Sequence, residues 1–261
     1  ARILTQSLLM STAQPLLEEE SGSYWSVLKQ GAGLANVGSV VTAQSYIKMG
    51  DDATDSAADG KVKVELGDDP AREGVYRYSF TVNNLSDSEK SYTLSGSFFT
   101  QDQFTVSETD AAPVTWLDTA TTPLAVETVY TIEGETFVPQ SKVEADVDRD
   151  GDTDADDAQA LLDYIVGNND GSALDIAAGD VDGDGKATSY DAHLILAHLE
   201  TARFTVPANG SVSVQVQVAL TQAQKDALDA SYSNGASVEG YTFVEPVTTE
   251  EGEVPDVTHS I

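Results

Sequence analysis

The sequence predicts a mainly β chain: an antiparallel β-sandwich built from two separated stretches, an all-α insertion between them, and a helical segment at the N-terminal end. Three observations carry this reading. Apolar residues recur at every second position within residues 60–139 and again within 202–261, the period of a half-buried strand. Between those stretches the apolar period becomes helical, twice, each time after a loop dense in aspartate. Ahead of them, residues 1–50 carry apolar positions at helical spacing around a glycine-bearing turn.

In ARILTQSLLMSTA, Ile3, Leu4, Leu8 and Leu9 fall on one helix face. Gly31 and Gly33 mark a turn, and Val37, Val40, Val41 and Ile47 are spaced to line a second helix. From Gly60 the period is two: Val62, Val64 and Leu66 alternate with polar residues, as do Tyr76, Tyr78, Phe80 and Val82. After the polar turn NNLSDSEKS, Tyr92 and Leu94 continue the pattern, and further strands are expected over 104–106, 114–117 and 126–132. Beyond the insertion, Phe204 and Val206 lead into the turn PANG, and Val212, Val214 and Val216 alternate with Ser and Gln. A short polar helix follows over 221–230 with Thr221 as its cap, then a last strand over 238–244.

The insertion is organised by two twelve-residue loops, DVDRDGDTDADD from Asp146 and DVDGDGKATSYD from Asp180. Places one, three, five, nine and twelve are Asp146, Asp148, Asp150, Asp154 and Asp157 in the first loop, and Asp180, Asp182, Asp184, Thr188 and Asp191 in the second. Gly151 and Gly185 hold the sixth place, where the backbone must turn sharply, and the carbonyls of Asp152 and Lys186 stand seventh. A calcium ion takes six to eight oxygens at once, and this spacing converges them on one point; the short Asp in twelfth place replaces the usual Glu. Ala158, Leu161, Leu162 and Ile165 follow the first loop at helical spacing. Ala192, Ile195, Leu196 and Leu199 follow the second, each 34 residues after its counterpart, as in an internal duplication. Two calcium ions are expected. Residues 146–191 hold fourteen Asp against one Arg and one Lys, so without cations the loops repel themselves.

The segment before Asp146, EGETFVPQSKVEA, contains Pro139 and lacks a helical period, so each loop has an exiting helix and no entering one. Loop plus exiting helix, twice over residues 144–200, resembles the dockerin type I module. The resemblance implies docking onto a cohesin domain of a scaffold protein, with loop places ten and eleven setting partner choice. Those places are Ala155 and Asp156, then Ser189 and Tyr190; the hydroxyl pair frequent in the family is absent from both.

Within residues 1–50, LLMSTA and QGAGLANV together resemble the closing helices of a subtilisin-like serine protease catalytic domain. The segments VYRYSFTVNNLSDSEKSYTLSGSF and FTVPANGSVSVQVQVALT, with VEGYTFVEP, resemble the fibronectin type III-like domain of lactocepin-like cell-envelope subtilases. Residues 60–139 and 202–261 would form that domain, discontinuous around the insertion. The resemblance implies a parent endopeptidase with an upstream catalytic domain and protein substrates. The chain itself has no histidine before His193 and no triad that can be assembled, so no catalytic residue is expected in it. Ala1 in place of Met and the ending VPDVTHSI read as cuts from a longer protein.

The net charge of −31, from 44 acidic against 13 basic side chains, argues against nucleic acid or an anionic membrane as partner and favours cations. There is no cysteine, which excludes disulfides. No apolar run is long enough to span a bilayer. A calcium-dependent module suits an extracellular or cell-surface setting, where calcium is millimolar. Two functions follow: a non-catalytic region of a secreted protease tethered to a scaffold, or a calcium staple that only stabilises the sandwich. A hydrolase or lectin role fits poorly, because the Tyr residues fall mostly at strand positions and Trp25 and Trp116 are isolated.

Overall fold

The computed structural model describes residues 2–18, 22–50, 59–105, 115–124, 126–137, 145–150, 153, 155–181, 185–199, 203–232, 235–247 and 256–261. Two compact units divide them: Ala1–Phe137 with Arg203–Ile261, and Val138–Ala202.

The first unit is mainly β and all its pairings are antiparallel. In chain order its strands are β1 (Ser45–Met49), β2 (Val75–Asn84), β3 (Lys90–Thr105), β4 (Thr115–Pro123), β5 (Glu127–Ile132), β6 (Glu135–Phe137), β7 (Arg203–Val206), β8 (Ser211–Ala219), β9 (Glu239–Val247) and β10 (His259–Ser260). One sheet runs β1-β2-β8-β5-β6; the other runs β10-β9-β3-β4, with β7 also on β3.

Alternation sets the register. On β8, Val212, Val214, Val216 and Val218 are buried while Ser211, Ser213 and Gln215 face out. Opposite them on β2, Tyr78 pairs with Val216, Phe80 with Val214 and Val82 with Val212, buried against buried. A slip of one residue would turn both rows to water, and each such side chain contributes roughly 1.5–3 kcal/mol by its burial. The Tyr78 hydroxyl bonds Thr242 of β9, so the inner faces of the two sheets meet there.

Helices α1 (Arg2–Ser11), α2 (Val27–Gln30) and α3 (Val37–Thr42) precede the strands. The second expected helix is shorter than its apolar spacing suggested. The chain leaves α3 after Thr42, and Ile47 sits on β1 opposite Val82, where Ser45, Ile47 and Met49 are buried. The faces expected on α1 and α3 are only partly covered: Leu8 is buried, whereas Ile3, Leu9, Val37 and Val41 are exposed. The strand expected at 62–66 forms no ladder. Both edges of β2 are taken by β1 and β8, so Val62 is buried by packing without pairing. Val106 and Val114 lie outside the described residues. Trp116 is not isolated: it faces Phe104 across the β3–β4 ladder, and both are exposed. Helix α6 (Gln222–Ser231) starts where its cap predicts, with Thr221 accepting from the Gln224 N–H and the Gln224 side chain accepting in return from the Thr221 N–H.

The second unit holds α4 (Ala155–Ile165) and α5 (Ser189–Leu199). Its core is small: Ala145, Val147, Ala158, Leu161, Leu174, Ala192 and Ile195, with Leu162, Ile176 and Val181 packed at its margin. Ala158 and Leu161 on α4 and Ala192 and Ile195 on α5 are the inward residues at matching places of the two repeats. Ile165 and Leu196, expected on the same faces, are exposed, because two helices of eleven residues enclose only one layer. The side chain of Leu199 is outside the described residues.

Candidate metal centre

Each helix of the second unit begins where its loop ends, and the twelfth-place carboxylate makes the junction. Asp157 is 1% exposed; its Oδ1 accepts from the Val147 N–H at 2.6 Å and from the Asp148 N–H at 3.1 Å. Asp191 is 0% exposed; its Oδ1 accepts from the Val181 N–H at 3.0 Å. Val147 and Val181 are the second residues of their loops, so the same bond is made twice, 34 residues apart. Asp191 Oδ2 also accepts from the backbone N–H and the hydroxyl of Thr188, both at 2.8 Å.

The first place carries the less satisfied group. Oδ1 of Asp146 and Oδ1 of Asp180 are both buried and have no hydrogen-bond partner. The other oxygen of Asp180 accepts from the Gly185 N–H at 2.9 Å, a bond that draws the sixth residue, at φ +86°, back over the loop. A buried carboxylate oxygen without a donor is costly, and a cation removes that cost.

Asp146, Asp148 and Asp157 form a cluster with one carboxylate oxygen from each within 4.8 Å of the others. Partial desolvation pushes the Asp148 carboxyl up, and the neighbouring charges of Asp150, Asp157 and Asp146 push it further. Asp150 is exposed and donates its N–H to Asp148 Oδ1 at 3.1 Å. Asp152, Asp154, Asp182 and Asp184, with Gly151, lie outside the described residues. Lys186 is exposed and Thr188 half-buried. The donor set is all oxygen and strongly anionic, which suits a hard cation such as calcium.

The loops are also braced. The Asp175 N–H donates to the Val147 carbonyl at 2.7 Å, the Ala145 N–H donates to Thr153 Oγ1 at 3.1 Å, and Arg149 pairs with Asp175 at 3.7 Å. The linker between the repeats thus holds the first loop in shape, a role its sequence did not announce. The expected partner-selecting residues, Ala155 and Asp156 on α4 and Ser189 and Tyr190 on α5, are all exposed at the helix starts. Tyr190 lies beside His193, ring centroids 6.3 Å apart.

Of the histidines, His193 is exposed and the His198 side chain is outside the described residues. His259 is buried in the first unit, in a row with Ser11, Ser45 and Asp256. Sequence reading missed this constellation; its bonded pairs stand 211 to 248 residues apart, and no local signal joins them. No helix among the described residues is long and apolar enough to cross a membrane.

A search of curated proteins finds no match to the chain. Residues 136–200, which contain both loops and both helices of the second unit, match the family model of the dockerin type I domain, a module that typically binds calcium and docks onto cohesin domains.

Proposed function

We propose that the second unit binds two calcium ions, one per loop, and docks onto a cohesin domain of a scaffold protein. The observation that carries this is the repeated first-place carboxylate oxygen, on Asp146 and Asp180, buried with no donor. Asp146, Asp148, Asp150, Asp154 and Asp157, with the Asp152 carbonyl, would hold one ion. Asp180, Asp182, Asp184, Thr188 and Asp191, with the Lys186 carbonyl, would hold the other. The exposed start of each helix would then face the partner.

The rest of the chain is read as a non-catalytic region of a secreted or cell-surface subtilisin-like serine endopeptidase. In that reading residues 1–50 close the catalytic domain, and residues 60–139 with 202–261 form the fibronectin type III-like sandwich. Two observations support it: the paired antiparallel sheets, and the exposed side chains of Leu28, Leu34, Val37 and Val41 in a stretch whose only charge over residues 22–47 is Lys29. Apolar side chains clustered in so uncharged a segment suit contact with another folded surface.

A pull-down of the full chain against a panel of cohesin domains, in calcium and in chelator, tests the docking. Capture in calcium alone is the expected result. No capture by any cohesin, while circular dichroism shows the calcium-dependent helices formed, would leave the loops as a staple for the first unit.

A further inference from the structure

His259 takes no part in the proposed calcium or docking chemistry, yet it is bonded at both ring nitrogens. Nδ1 lies 2.9 Å from Ser11 Oγ and Nε2 lies 2.8 Å from Ser45 Oγ. Ser45 donates its own hydroxyl proton to Asp256 Oδ2, so its oxygen is left to accept from the ring. That assigns the proton to Nε2 and makes Nδ1 the acceptor of the Ser11 hydroxyl. Asp256 is completed by the Tyr92 hydroxyl at 2.8 Å and the Gln44 N–H at 2.7 Å.

The row crosses the unit. Ser11 ends α1, Ser45 begins β1, Tyr92 is on β3, and Asp256 and His259 belong to the last described segment. Ser11, Ser45, Tyr92 and His259 are 0% exposed, and Asp256 is 7% exposed. The same segment fastens itself on either side: Ser260 Oγ donates to the Ala13 carbonyl at 3.2 Å, and Ile261 and Thr242 exchange backbone bonds of 2.9 and 3.1 Å.

We propose that residues 256–261 are an acid-sensitive clasp: with His259 neutral they strap α1 to β9, and protonation of His259 releases the strap while the other strands stay paired.

The groups facing the ring decide the effect of a proton. From α1 and β1 these are the neutral Ser11 and Ser45, and from β9 Val244 stands opposite in register. From β3 it is Tyr92, which shares Asp256 with the row. Lys48 of β1 and Glu245 of β9 are exposed, Glu239 is bonded to Ser26 and Ser237, and the Tyr241 hydroxyl is bonded to the Gly31 carbonyl. Asp256 alone favours the charged ring, and burial outweighs it, pushing His259 from 6.5 down to about 4. A depressed value in the closed form means that the open form takes up the proton first. Closure is therefore complete above pH 6.5 and is lost as pH falls toward 4.

Hydrogen exchange on the full, calcium-saturated chain tests this, with rates corrected for their intrinsic pH dependence. Between pH 7.5 and 5, protection of the Thr12, Thr242 and Ile261 amides should fall roughly 30-fold, while amides of the β2–β8 ladder hold. In His259→Gln, whose amide keeps a donor and an acceptor without titrating, the loss should vanish. Equal acid loss in that variant, or loss across all of the first unit together, overturns the clasp. If the variant fails to fold, the wild-type ring decides by NMR: neutral at pH 5.5 in the closed form upholds the clasp, and titration near 6.5 overturns it.

Discussion

Both units bury aspartates behind protein donors, and the second also holds back two carboxylate oxygens that no donor fills. Asp256 in the first unit is closed by protein donors: Ser45 and Tyr92 on one oxygen and the Gln44 N–H on the other. Asp146 and Asp180 in the second unit are half-buried, each with one buried oxygen left over. A carboxylate whose lone pairs are filled from within belongs to the architecture. One that reserves an inward oxygen is incomplete until something positive arrives. The contrast extends to the cores. The first unit buries a continuous row of Val, Tyr and Phe from two sheets, while the second rests on seven small or medium side chains around two helices. A core of that size contributes little by itself, and the loops must supply the difference.

The strongest way to break the comparison is to remove the cation. With calcium at 100 to 1,000 times the dissociation constant, binding adds roughly 3 to 4 kcal/mol per site, so chelation should melt α4 and α5 and leave the ten strands paired. Circular dichroism during a calcium titration reads this as helix signal that comes and goes over a constant β background. Helices that persist in chelator would show that the spare oxygens need no ion.

The next effect is the converse, confined to the first unit. Asp256→Ala strands the Ser45 and Tyr92 hydroxyls in a buried site, at a cost of about 2–4 kcal/mol. Denaturant unfolding should show that loss in the β signal, with calcium affinity unchanged. A variant as stable as the parent would mean that the row around Asp256 is incidental to packing.

How far these features can be read without a structure depends on how local their physics is. The candidate metal loops stand out because every proposed ligand lies within twelve residues and the spacing is the chemistry, down to the 34-residue recurrence. Strands β2 and β8 are legible because one face is buried over most of their length. Short elements are not. Ile47 fits a helical period as well as a strand, and its partner Val82 decides; β10 is two residues long and exists because β9 accepts it. Residues 62–66 have a strand's alternation yet join no ladder, and β2, the next strand in the chain, is already paired on both sides. The row from Ser11 to His259 spans 248 residues, and only the assembled fold places its hydroxyls on the ring.

The finest test separates the two loops. Asp146→Ala and Asp180→Ala each remove a carboxylate whose buried oxygen lacks a donor, so neither deletes a hydrogen bond made by that oxygen, and the helices should still form at saturating calcium. Each should instead weaken its own site at least about tenfold, near 1.4 kcal/mol, seen by calorimetry as one weakened step of two. The substitutions are not equivalent in shape. Asp180 also accepts from the Gly185 N–H, so its loss should loosen the second loop's turn and slow helix formation in α5 at limiting calcium. Asp146 shares its space with Asp148 and Asp157, so its loss should relieve repulsion and bring the Asp148 carboxyl back toward its ordinary value. Two variants with identical binding curves and unshifted carboxyl titrations would contradict the assignment of these aspartates to the first place of each loop.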